Sequence, residues 1–135
     1  YLQNIILNIG EKAHVDMVVN QAIDLGTKYA ILVHETYDTQ KEQYLKELQD
    51  HLKVFSDYLD GKKWFIGDKI TVADFVMYEL LDVHTKLDPS CLSNFNNLQQ
   101  FHHRFEELPA IKKYMASPRF ISKPLNGPTA KFDIQ

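Results

Sequence analysis

The stretch TVADFVMYELLDVHTKL, residues 71–87, constrains the fold more than any other part of the chain. Read as a helix, it carries apolar side chains on almost every face, interrupted after its start only by Asp74, Glu79, Asp82, His84, Thr85 and Lys86. A helix of that kind belongs in the middle of a bundle, because no face is polar enough to rest in water. Its start is equally legible. With Thr71 as N-cap, Asp74 becomes the third helical position, so the two side chains can satisfy each other's orphan backbone N–H groups. Ile70 and Phe75 stand at the two positions of a hydrophobic staple, and the aspartate faces the positive end of the helix dipole. We therefore read Thr71 and Asp74 as a helix start in preference to a catalytic pair. The sequence DPSC, residues 88–91, ends the helix, since proline cannot continue the hydrogen-bond ladder.

The rest of the chain supplies partners for that central helix. Over 11–34, Val15, Val18, Val19, Ala22, Ile23, Ala30 and Ile31 form a broad apolar stripe, with Gly26 as an interruption that costs about 1 kcal/mol or marks a close approach. From 39 onward Tyr44, Leu48, Leu52, Phe55 and Leu59 recur at helical spacing, and Asp60-Gly61 should close that helix. NLQQFHHRFEEL places Leu98, Phe101, Phe105 and Leu108 on one face, and LPAIKKYMAS follows with Pro109 in its first turn. Pro118, Pro124, Gly127 and Pro128 make the end irregular. The expected fold is all-α: a bundle of about five principal helices with an irregular C-terminal tail.

Composition excludes several functions. A net charge of −3 gives no basic footprint for nucleic acid or an anionic membrane, and no apolar run approaches the roughly 18 residues that span a bilayer. The 135 residues suit one domain, and a start at Tyr1 without an initiator methionine raises the expectation of a longer parent protein. The six histidines show no HExxH spacing, His102 and His103 point apart on a helix, and no CxxC or phosphate-binding glycine loop occurs. No metal site is expected. The lone Cys91 reads as an inert thiol in a reducing compartment, and Trp64 and Phe65 read as bundle-closing aromatics.

The residues do, however, match a known pattern. KKWFIGDKITVADFVMYELLDVHTKLDPSCLSNFNNLQQFHHRFEELPAIKKYMASPRF, preceded by VDMVVNQAIDLGTKY, resembles the C-terminal helical domain of mu-class cytosolic glutathione transferases. The resemblance runs from about 11 to 132. It divides the chain into a poorly matched leading segment at 1–10, the end of a preceding domain or a linker, and a helical domain with its tail at 11–135. It implies a thioredoxin-like N-terminal domain, absent from this sequence, that binds glutathione and activates its thiol. It also implies a cytoplasmic homodimer with glutathione as co-substrate and no intrinsic cofactor, conjugating glutathione to small hydrophobic electrophiles. In that scheme the chain holds no catalytic residue and is inactive alone. It supplies one wall of the electrophile pocket and a dimer surface. The alternative is a non-catalytic protein on the same fold, such as a lens-crystallin-like protein or an assembly module.

The resemblance assigns roles residue by residue. Asp24 falls where an aspartate reaches across the dimer to the glutathione amino group; as plain sequence it is a solvated helix carboxylate. Ile23 and Thr27 fall at two pocket positions. Val33 or His34 falls where the family places a pocket tyrosine, and Tyr37, expected in a loop, is a third candidate. Asn126 and Gly127 stand where a phenylalanine and a serine commonly face the electrophile, so the resemblance implies a weakened aromatic wall.

Overall fold

The computed structural model describes residues 7–134. Residues 1–6 of the leading segment, and Gln135, lie outside the described residues. Five α-helices form among the described residues: α1 (Ile9–Ile31), α2 (Tyr37–Leu59), α3 (Val72–Leu87), α4 (Asn96–Glu106) and α5 (Pro109–Met115). Among the described residues the only β-type pairing is two isolated bridges, Trp64 with Gly67 and Ile66 with Lys69, in the turn before α3. The expected helical bundle with an irregular tail is what the sequence builds.

The first helix starts two residues earlier than its apolar stripe suggests. Asn8 accepts from the Glu11 N–H, and the Glu11 carboxylate accepts from the Asn8 N–H, each at 2.9 Å. This reciprocal cap carries the helix back through Gly10. Lys69 Nζ, 3.1 Å from Glu11 Oε1, ties that end to the turn before α3.

The junction between α1 and α2 departs from expectation. No loop separates them; a π-helical turn, Leu32–Thr36, joins them directly, and Tyr37 is the first residue of α2. The chain nevertheless reverses there. Lys28 of α1 meets His51 of α2 at 3.3 Å, and Met17, Val18, Phe55 and Tyr58 line one groove between the two helices. Thr36, with φ −120° and ψ 12°, marks the break in helical geometry.

The central helix α3 takes the place its composition requires. Ala73, Met77, Leu80 and Leu81 are buried against Val18, Ala22 and Leu25 of α1, Leu48, Leu52 and Phe55 of α2, and Phe101 and Phe105 of α4. Trp64 and Phe65 both meet Phe101 edge-on, at centroid distances of 5.9 and 5.0 Å. The cap at Thr71 forms as expected: Thr71 Oγ1 accepts from Ala73 N–H at 3.2 Å, and Asp74 Oδ2 accepts from Thr71 N–H at 2.8 Å. The other oxygen, Asp74 Oδ1, accepts from the Phe65 N–H at 2.8 Å. Asp74 thus clamps the Trp64–Phe65 turn as well as starting the helix. Burial pushes its pKa up, and the N–H groups of Phe65 and Thr71 oppose that rise.

A second, smaller core lies beneath the α1–α2 reversal. Tyr29, Leu32, Val33 and Leu87 are buried there, with Tyr37, Tyr44, Val83 and Phe132 packed around them. His84 is fully buried between the rings of Tyr29 and Tyr44. Its Nδ1–H donates to the Leu80 carbonyl at 2.6 Å, which leaves Nε2 to accept from the Tyr44 hydroxyl at 2.7 Å. Burial and that neutral tautomer go together, and the pKa falls to about 4.

Candidate substrate-pocket wall

The expected site residues divide into two groups. Ile23, Asp24 and Thr27 lie exposed on α1. Ile23 and Thr27 share one face, and the Thr27 hydroxyl donates to the Ile23 carbonyl at 2.9 Å. Asp24 stands one residue round the helix. At spacings of four, three and four it continues the stripe Met17, Gln21, Asp24, Lys28. Met17 and Gln21 of that stripe line the apolar groove shared with Val54, Phe55 and Tyr58 of α2. Asp24 therefore borders the groove, whereas Ile23 and Thr27 face away from it.

The second group gathers at the hairpin end because the tail folds back on the π-helical turn. The Val33 carbonyl accepts from the backbone N–H groups of Lys131 and Phe132, at 2.7 and 3.4 Å. Lys131 Nζ donates to the Glu35 carbonyl at 2.8 Å and lies 3.6 Å from Asp38. His34 Nδ1 lies 3.4 Å from Thr129 Oγ1. Asn126 donates from its side chain to the Phe132 carbonyl at 3.1 Å, and Asp133 Oδ1 accepts from Leu125 N–H at 2.6 Å, closing the tail on itself. Gly127, at φ 86°, makes the turn that this closure needs.

Val33, His34, Asn126 and Gly127 are thus brought to one place, with different means of contributing. The Val33 side chain is buried in the small core, so what it offers the tail is its carbonyl. His34 remains half-buried with a free choice of tautomer. Tyr37, from the start of α2, stacks on Phe132 with centroids 5.2 Å apart, and its hydroxyl accepts from Lys41 Nζ at 2.9 Å. The Tyr29 hydroxyl is buried with no hydrogen-bond partner among the described residues. Burial pushes its pKa up to about 12, and the Asn126 amide, close by without completing a hydrogen bond, opposes the rise.

Sequence reasoning named Tyr37 but missed Phe132, the other half of an aromatic pair at this end. Phe132 and Tyr37 form a stacked aromatic pair at the end where Asn126 and Gly127 lie. The signal was the one aromatic residue of the tail segment AKFDIQ, set between a lysine and an aspartate, which has reason to be there only if it docks.

The sequence pattern described as "Glutathione S-transferase, C-terminal domain" matches residues 23–118. The chain belongs to that family. It is 43% identical over 116 residues to Glutathione S-transferase Mu 4 of Homo sapiens, covering 85% of this chain and 53% of that protein. Over the same length it is 40% identical to Glutathione S-transferase Mu 2 of Mus musculus, with the same coverage of each. Among solved structures it is similar to the Pi-class glutathione S-transferase of Onchocerca volvulus, with a TM-score of 0.76 and 36% identity. That match covers 80% of this chain and 54% of the other. The chain spans about half the length of these relatives. The family pattern covers most of the bundle, and the relatives named at the sequence level are of the Mu class.

Proposed function

We propose that the protein containing this chain is a glutathione transferase that conjugates the glutathione thiolate to small hydrophobic electrophiles. In this reading residues 11–135 are its helical half, and a thioredoxin-like half holds and activates glutathione. The observation that supports it most is the docking of the tail on the π-helical turn. That docking gathers His34, Tyr37, Phe132 and the Asn126–Gly127 turn at the end of the helix that carries Ile23 and Thr27. Such a wall is aromatic and apolar with a few polar groups, the composition a hydrophobic electrophile requires. His34 can donate a proton to the electrophile where Val33 cannot.

The same reading makes the protein a cytoplasmic homodimer. Met17 and Val54 expose about half their surface on the α1–α2 groove, and Asp24 stands at its rim. A partner subunit seated there would bring its glutathione ammonium towards Asp24. No helix among the described residues is long and apolar enough to cross a membrane.

The test is glutathione binding by the complete protein, followed by calorimetry. Asp24→Asn is expected to raise the glutathione dissociation constant by about tenfold, the loss of one charge-assisted hydrogen bond. Its melting temperature should stay within error of the parent's, because Asp24 is exposed. Unchanged affinity returns Asp24 to a solvated helix face. A parent protein that binds no glutathione overturns the transferase reading itself.

A further inference from the structure

We propose that Asp82 of α3 with His102 and Glu106 of α4 forms a binding site for a divalent transition-metal ion, zinc above others, completed by water. One ligand atom from each of the three lies within 4.8 Å of the other two. His102 Nε2 is 3.1 Å from Asp82 Oδ1. That contact is a hydrogen bond. Its length is close to the separation, about 3.4 Å, of two ligands held at about 2.0–2.1 Å by one tetrahedral zinc, so an ion can take the place of the shared proton with little movement.

Glu106 follows His102 by four residues, one helical turn, and approaches its ring at 3.9 Å through Nδ1. Its side chain is about a third exposed. The linear sequence hides this set because Asp82 and His102 stand 20 residues apart on two different helices.

Three further observations favour an ion here. The Tyr78 ring lies on His102, with centroids 4.9 Å apart, and the Tyr78 hydroxyl donates to Glu106 at 3.0 Å. Those contacts orient ligand side chains in the way outer-shell groups do around bound zinc. Two carboxylates, Asp82 and Glu106, approach the one imidazole, and Lys86, whose Nζ lies 3.5 Å from Asp82, has a side chain exposed enough to yield to a cation. Finally, His102, though neither carboxylate, borders an open cleft of about 290 Å³ lined also by Thr85, Pro89 and Gln99, which gives solvent a path to the imidazole. One imidazole with two carboxylates suits zinc; calcium and magnesium take sites built from oxygen alone.

Zinc titration of the tag-free complete protein by calorimetry, with cobalt absorption as a second probe, decides the matter. The expected result is one saturable zinc site per chain whose affinity drops at least about tenfold in His102→Gln. The same site should weaken in Glu106→Gln, while His51→Gln leaves it unchanged. Circular dichroism of each variant without metal checks that it folds. If His102→Gln does not, Glu106→Gln decides, since its amide oxygen still accepts from Tyr78. Absence of saturable binding at submillimolar zinc, or equal affinity in the parent and the folded variants, overturns the proposal.

Discussion

Gly26 sits in the interior of α1, yet its surroundings ask for no glycine. A Cβ there would meet Leu80 Cδ1 at 3.9 Å, an ordinary contact, and its backbone is not left-handed. Of the two readings open from sequence, a close approach and a simple interruption, the packing selects the second. Gly26→Ala should therefore raise the unfolding free energy by about 0.5–1 kcal/mol, measured by urea denaturation. A fall in stability would mean that α1 and α3 sit closer than their side chains indicate. The contrast is Gly67, at φ 91°, where an alanine has space but the backbone conformation opposes it.

At the scale of elements, the start of α3 was written locally and was therefore readable. A capping box needs two residues three apart, and nothing distant can hide it. What the pattern could not show was the bond from Phe65 N–H to Asp74 across nine residues of chain. Asp74→Ala should thus cost more than an ordinary cap, about 3 kcal/mol, because the buried N–H groups of both Phe65 and Thr71 lose their acceptor. Chemical denaturation checks this, and a loss of only about 1 kcal/mol would reduce Asp74 to a cap alone.

The π-helical turn was illegible for the opposite reason. LVHETYD holds no glycine or proline to announce a reversal, and the turn is fixed by packing over Tyr29 and Leu87 and by the returning tail. The candidate wall divides in the same way. Helical spacing places Ile23, Asp24 and Thr27, whereas Phe132 and Tyr37 meet only once the tail has docked.

On the scale of the whole molecule, His84 links stability to pH. Its folded pKa, about 4, lies below the ordinary 6.5, so the unfolded chain takes up a proton first as pH falls. The stability from neutral His84 is fully present above pH 6.5 and is lost as pH drops towards 4. Across that window the loss should amount to about 3 kcal/mol. Denaturation curves between pH 7 and pH 4 should show it, and His84→Gln should flatten that part of the profile; an equally steep profile in the variant would place the proton elsewhere. Lys131 grips the Glu35 carbonyl across 96 residues of chain, and the wall exists only when that span has closed. Closing so long a loop is entropically unfavourable until the helices between are in place, so this corner of the bundle is expected to close last. Its composition would then be free to drift: on the proposed reading, a substitution in the tail would reshape what the corner accepts while the folding of everything before it proceeds as though nothing had changed.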